Sequence, residues 1–357
     1  MHATIPFDRE YQNATGRPIP HLPNHPITHP PIPPHPRPLA PATLSPMSSI
    51  TTFSDLPSEQ GRHELSIPIG DGRSRPSLPV RFHRGAALHP LLAVTAMVHG
   101  DEYEGFGGVL QLWKRIERRR ISGSVLMLPV CNSAAARAAT RRTPDALDGL
   151  DLARVFPGSA RGSFTRRLAR RIWDLVAPAD VLVDLHSGGA GYEYLPMTGF
   201  YRARDREIAE CFPIRTLWKI PSNPGVLSYE LVRRGRRAMG TEFAGEARSD
   251  PRGVAACTKG LLRIMHHLKM IAAPPRATAI QRRRLLTKTS YQLTDRSGWF
   301  VRSVAPGQRI VRRQPIGEWI DEDLNRSTLT CRDAGTVTAV RTLPRVDAGD
   351  YLVVTGR

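Results

Sequence analysis

Two stretches of this chain are written in the same way: an apolar run stops at a histidine and gives way to glycine. Pro90 to Val98 runs into His99-Gly100-Asp101-Glu102-Tyr103-Glu104-Gly105, and Ala179 to Leu185 runs into His186-Ser187-Gly188-Gly189. Short apolar runs bounded by turn residues read as buried strands. Behind the first run, Phe106, Val109, Leu110, Trp113 and Ile116 recur at helical spacing and predict an amphipathic helix. A strand that feeds a helix through a tight glycine turn belongs to an α/β sheet, where side chains that carry chemistry collect at the carboxyl ends of strands. If the two runs are parallel neighbours, His99 and His186 arrive at the same edge.

The turn after the first strand holds an imidazole and a carboxylate three residues apart, which is metal-ligand spacing. Zinc in catalytic sites takes three protein ligands and keeps one position for water. His99 and Glu102 supply two ligands and His186 is the candidate third, with Asp101 and Glu104 as rival carboxylates in the same turn.

At 357 residues and 40% hydrophobic content the chain can bury a sizeable core. Cys131, Cys211, Cys257 and Cys331 show no C-x-x-C spacing, so neither a disulfide framework nor a thiolate metal site is expected. No apolar segment approaches the roughly 20 residues that span a bilayer, and the first thirty residues lack the order of a secretory signal. The expectation is a cytoplasmic protein without a membrane partner. The net charge of +19 would suit a polyanion or an anionic substrate. The runs Arg118-Arg119-Arg120 and Arg282-Arg283-Arg284 carry no interleaved aromatics, which counts against nucleic acid.

Residues 1–50 read as a tail: proline dominates Arg17 to Pro46, with His21, His25, His29 and His35 interspersed and no periodic apolar pattern. Leu65 to Ile69 and Leu78 to His83 predict a hairpin around Gly70-Asp71-Gly72-Arg73. Gly123 to Val130 is the next strand, and a long arginine-bearing connection runs from Asn132 to Gly158. Phe164, Leu168, Ile172 and Leu175 predict a second helix. Beyond His186, Tyr192, Tyr194 and Tyr201 form a substrate-facing insertion, and Gly225 to Gly235 is a helix. Ala238 to Gly245 is a short strand with one carboxylate, Glu242. Pro251 to Ile271 is a long helix closed by Pro274-Pro275. From about Ala277 the texture changes to short strands between glycine turns, a small β-barrel or sandwich.

Taken together, the motifs from about Leu78 onward resemble the succinylglutamate desuccinylase/aspartoacylase family of zinc-dependent deacylases, relatives of the zinc carboxypeptidases. The His-Gly-Asp-Glu-Tyr-Glu-Gly form is closest to the N-acetyl-diaminobutyrate deacetylase branch. The resemblance implies an α/β fold, a zinc-carboxypeptidase-like mixed sheet flanked by helices with a small C-terminal β-domain. The corresponding boundaries are a tail at 1–50, a catalytic domain at 51–273 and a β-domain at 277–357 that shapes or caps the pocket.

It also implies roles. His99, Glu102 and His186 match the family's zinc ligands, one Zn2+ per chain. Glu242 matches the general base, Arg141 the arginine that stabilises the oxyanion, and Arg154 the arginine that grips a substrate carboxylate. Asp184 would orient a ligand from behind. The implied substrate is a small N-acylated amino acid or related amide, and homo-oligomerisation stays open. One position departs from the pattern: the family keeps asparagine before the arginine and this chain has Ala153. That departure motivates an alternative, a diverged metal-binding pseudoenzyme, with a basic nucleic-acid-binding protein behind it.

Overall fold

The computed structural model describes residues 50–69, 76–272 and 282–357. The proline- and histidine-rich tail up to residue 49, the turn Gly70-Asp71-Gly72-Arg73 and Pro274-Pro275 lie outside the described residues.

The expected hairpin forms from β1 (Gly61–Pro68) and β2 (Ser77–Arg84), paired antiparallel. The first histidine-tipped run gives β3 (Leu91–Ala96), followed by α1 (Glu104–Ile116) and β4 (Ser124–Leu128), and β3 and β4 pair in parallel. Every residue of β3 and β4 is buried, as expected for strands covered on both faces. Next come α2 (Ser133–Ala138), α3 (Phe164–Val176) and the second histidine-tipped strand β5 (Val181–Ser187). They are followed by β6 (Tyr192–Tyr194), β7 (Met197–Phe200), α4 (Arg206–Ala209) and β8 (Thr216–Lys219), then α5 (Leu227–Arg233), β9 (Arg237–Phe243) and α6 (Pro251–His267). With β10 (Arg284–Leu286) the main sheet has nine strands in the order β1-β2-β4-β3-β5-β9-β7-β8-β10. The sheet is mixed: β3, β4, β5 and β9 run in parallel, while β7 enters antiparallel to β9.

Alternation along the buried strands sorts the core into two layers. Leu91, Ala93, Leu126 and Leu182 join Leu168, Ile172 and Leu175 of α3 on one face. Leu92, Val94, Val125 and Val183 join Val109 and Leu112 of α1 and Leu261 of α6 on the other. Truncating one of these leucines to alanine would cost about 2–5 kcal/mol by general experience with core cavities.

Three local expectations need correction. The buried face of α1 is Val109, Leu112, Trp113 and Ile116, whereas Leu110 is 40% exposed and Phe106 only half-buried. Glycine sets that rotation: a Cβ at Gly105 would lie 2.7 Å from the Leu185 side chain, and one at Gly108 2.2 Å from Cys257 on α6. The 132–158 connection is not bare loop, because Asn132 caps α2 through its Oδ1, which accepts the Ala135 N–H at 3.1 Å. And α6 stops at His267 instead of Ile271, where Lys269 takes a positive φ of 58° and turns the chain.

The C-terminal strands are β11 (Thr289–Leu293), β12 (Gly298–Arg302), β13 (Arg309–Ile310), β14 (Pro315–Ile320), β15 (Arg326–Thr330), β16 (Gly335–Arg341), β17 (Arg345–Val346) and β18 (Tyr351–Gly356). They form two antiparallel sheets, β15-β14-β12-β17 and β11-β18-β16-β13, which share one core containing Phe300, Trp319, Val337 and Leu352. Strand β6, although it precedes β7 in the chain, pairs with β16 and so belongs to the second of these sheets.

Candidate functional site

Strand β3 ends at Ala96, and Met97 with a φ of 48° starts the turn that carries His99 and Glu102. Gly100 lets this turn lie directly on α2: its N–H donates to the Thr140 carbonyl at 3.0 Å, and a Cβ there would sit 2.1 Å from the Ala135 carbonyl carbon. Because β3 and β5 are parallel neighbours, His186 arrives beside that turn.

The two histidines meet around one carboxylate. Glu102 Oε1 lies 2.6 Å from His99 Nδ1, and Glu102 Oε2 lies 3.0 Å from His186 Nδ1 and also accepts the Ser187 N–H at 3.1 Å. The outer nitrogens are held as well. His99 Nε2 is 3.2 Å from Asp151 and His186 Nε2 is 3.3 Å from Asp184, whose other oxygen accepts from Thr95 at 2.7 Å. A carboxylate behind each imidazole holds the ring in place, as behind metal-bound histidines.

Burial alone would raise the Glu102 carboxyl, but the two imidazoles hold it well below the usual carboxylate range. Burial likewise opposes ionisation of Asp151 and Asp184, and the histidine each one faces keeps it low. His186 shows the converse: burial would favour its neutral form, yet Asp184 and Glu102 push it well above the ordinary histidine value.

The donor set fits a divalent metal. His99, Glu102 and His186 offer ligand atoms that all lie within 4.8 Å of one another, with two imidazoles and one carboxylate as in three-ligand zinc sites. The rival acids are elsewhere. Asp101 accepts the Ala190 N–H at 2.7 Å and clamps the glycine turn after β5, and Glu104 is fully buried with neither oxygen hydrogen-bonded.

Glu242 stands on β9 directly across from His186. It is partly buried and lines the cavity, and burial, reinforced by the nearby Glu102, pushes its carboxyl up to about 8. A dication held by the cluster would pull in the opposite direction. Arg141 Nη1 is 3.6 Å from Glu102 and its Nη2 3.4 Å from Asp151. Arg154 donates to the Ala153 carbonyl at 3.0 Å, and among the described residues no carboxylate lies in ion-pair contact with it.

All six predicted site residues line one cavity of about 450 Å³. The sequence points to its far side only in outline, as a β-domain that shapes or caps the pocket and an insertion bearing Tyr192 and Tyr194. Tyr291, Arg341 and Tyr351 of the C-terminal strands, with Asp350 just before β18, line it together with Tyr192 and Tyr194 of β6. Tyr194 Oη and Tyr351 Oη are 2.7 Å apart, the Tyr192 and Tyr351 rings stack at 3.9 Å, and Arg341 lies over Tyr192 while reaching Asp350 at 3.3 Å. Asp151 was missed. Its available signal was a capping position, since its Oδ1 accepts the Ala153 N–H at 2.9 Å at the start of the 3-10 turn Leu152–Arg154.

The arginine runs stay away from this cavity. Arg118, Arg119 and Arg120 are exposed, Arg283 donates to the Ile214 carbonyl at 2.7 Å, and Arg284 donates to Thr336 at 3.1 Å. No helix among the described residues is long and apolar enough to cross a membrane.

Comparison with known proteins places the fold. N-alpha-acetyl-L-2,4-diaminobutyric acid deacetylase of Halomonas elongata is 28% identical over 221 residues, 58% of this chain, which thus spans only 64% of the length of that relative. The crystal structure of a succinylglutamate desuccinylase/aspartoacylase from Rhodobacter sphaeroides matches with a TM-score of 0.74 at 27% identity, over 85% of this chain and 97% of that one. A product-bound ectoine utilization protein from Ruegeria pomeroyi shares the fold at a TM-score of 0.75 and 22% identity, over 84% and 97% of the two chains. The model of the succinylglutamate desuccinylase/aspartoacylase catalytic domain matches residues 89–268, half of the chain and every predicted site residue within it, and the protein belongs to that family.

Proposed function

We propose that this chain is a zinc-dependent deacylase that hydrolyses the amide bond of a small N-acylated amino acid or related amide. The observation that carries the reading is the His99–Glu102–His186 cluster with Glu242 one strand away at the same level, all opening into one cavity. His99, Glu102 and His186 would hold the ion, one per chain. When bound, zinc polarises an amide carbonyl and lowers the pKa of water toward about 7.

The remaining steps belong to side chains. Glu242 is the general base: its carboxylate takes a proton from the attacking water and delivers it to the leaving amine. Arg141, half-exposed beside the cluster, presents its guanidinium to the oxygen on which charge develops, a contribution typically of about 3–4 kcal/mol in other hydrolases. Arg154 keeps N–H donors free for the carboxylate of the amino-acid half, although Ala153 offers no amide beside it. Asp151 and Asp184 hold the imidazoles in place.

The site at 51–273 and the strands at 277–357 then divide the labour, the first supplying chemistry and the second the outer wall; the boundary itself lies outside the described residues. The test is release of free amine from N-acetyl amino acids by the zinc-loaded protein, with metal content measured alongside. About one zinc per chain and measurable turnover are expected. One zinc without turnover on any N-acyl amino acid would sink the hydrolase and leave the metal-binding pseudoenzyme.

A further inference from the structure

Beyond the catalytic cluster the cavity continues across the main sheet, and the register says what forms its floor. Glu242 of β9 pairs with Met197 of β7, Gly240 pairs with Gly199, and Gly199 pairs in turn with Trp218 of β8. These residues share the face that carries His186 and Glu242. Two glycines therefore sit side by side in the floor.

They are not equivalent. A Cβ at Gly199 would meet the Ile220 side chain at 2.5 Å, so that space is filled, whereas a Cβ at Gly240 would come no closer than 3.7 Å to any neighbour. Gly240 lines the cavity and marks open space in it, a recess with Ile220 at its edge, and Tyr201, Trp218, Val226 and Ser228, with the neutral Asn223, line the same cavity.

None of those walls carries a charge. The Tyr201 and Ser228 hydroxyls are bonded to each other at 3.0 Å, and the only buried polar atom these walls leave unmet is the Trp218 indole N–H, a donor that repels a cation. Asp184, across from Gly240 on β5, is 1% exposed and committed to Thr95 and His186. A charged side chain placed here would give up part of its water and meet no counter-ion in these walls, while Arg154 and Glu242 are committed to the substrate carboxylate and to the reaction.

The recess also lies on the Arg154 side of the cavity. Gly225, immediately before Val226, stacks on the Arg154 backbone: a Cβ there would lie 2.4 Å from the Arg154 carbonyl oxygen, and the Gly225 carbonyl accepts the Phe156 N–H at 3.1 Å.

We propose that the recess over Gly240 receives the side chain of the amino-acid half of the substrate, and that it selects uncharged, apolar side chains such as those of leucine and methionine over cationic or anionic ones. This rests on the deacylase reading and on Arg154 as the carboxylate anchor.

The experiment compares kcat/KM of the zinc-loaded protein and its Gly240→Val variant on N-acetyl-L-leucine, N-acetyl-L-methionine, N-acetyl-L-2,4-diaminobutyrate, N-acetyl-L-aspartate and N-acetylglycine, with calorimetric binding of each in parallel. In the wild type the neutral substrates should exceed the charged ones by about tenfold or more. Gly240→Val should lose about tenfold or more on leucine and methionine relative to its own rate on N-acetylglycine, with zinc content and circular dichroism matching the wild type to report that the variant is folded. Preference for a charged side chain, or equal losses on leucine and glycine, overturns the recess while hydrolysis stands. Leucine-selective binding that Gly240→Val removes, without turnover of any substrate, supports the recess and overturns the hydrolase. Absence of both turnover and binding overturns both.

Discussion

On one side of the pocket, His99, His186 and Glu242 stand at the carboxyl ends of three neighbouring parallel strands, and every imidazole nitrogen faces a carboxylate. On the other side, Tyr351 stacks on Tyr192, meets Tyr291 edge-on and shares a hydroxyl pair with Tyr194, with a single ion pair from Arg341 to Asp350. The first wall is a set of buried charges that stabilise one another only while all are present. The second is a set of large rings, each packed on the next. Removing one partner should therefore cost far more in the first wall than in the second.

The largest effect is expected from His99→Ala combined with His186→Ala: loss of bound zinc by elemental analysis and loss of all turnover. Next comes Glu242→Gln, which should retain zinc and lower kcat by about 10²–10⁴-fold; normal activity in that variant would remove Glu242 from the chemistry. For the opposite wall, Tyr351→Phe deletes the 2.7 Å bond to Tyr194 and keeps the ring. It should cost about 1 kcal/mol in denaturant unfolding and change kcat/KM by less than about tenfold. A loss as large as that of Glu242→Gln would erase the contrast between the walls.

The smallest effect tests how the charged wall is anchored. Asp148 accepts from the Thr165 backbone N–H at 2.7 Å and from its hydroxyl, tying the segment that carries Arg141, Asp151 and Arg154 to the first turn of α3. Burial would raise its carboxyl, but these bonds and one from Ser163 hold it below the ordinary aspartate value. A carboxyl depressed in the folded state adds stability above its unfolded pKa of about 3.9 and loses it as pH falls through the folded value. Asp148→Asn should thus lower Tm at pH 7, and the gap to wild type should close as the pH drops below about 4.

The charged wall was readable in the sequence because its signals are local: strand, histidine and glycine lie in consecutive residues, and β-sheet pairing does the rest. Glu242 was legible for the same reason. The facing wall was legible only as a capping β-domain and a tyrosine-bearing insertion, since Tyr351 gives no sign of its destination when β18 reads as one more short strand. The rotation of α1 was misjudged where glycines, which count for little in a hydrophobic pattern, decide the closest approach. Asp151 was passed over because a residue that caps a turn and braces an imidazole shows only the first of these roles in its neighbours.

The pairing of β6 with β16 has a consequence for how the molecule is made. Tyr194 is hydrogen-bonded in register with Ala339, so a strand translated early must wait for one translated far later. All six predicted site residues have been synthesised by residue 242, yet the pocket has no outer wall until residues 335–356 have followed. Contacts this distant in sequence close slowly because the intervening chain must first surrender its freedom. During that interval the edge of β6 and the unfilled cleft face the cellular milieu, so a nascent chain stalled before β16 should be a preferred client of chaperones, while one released complete should not.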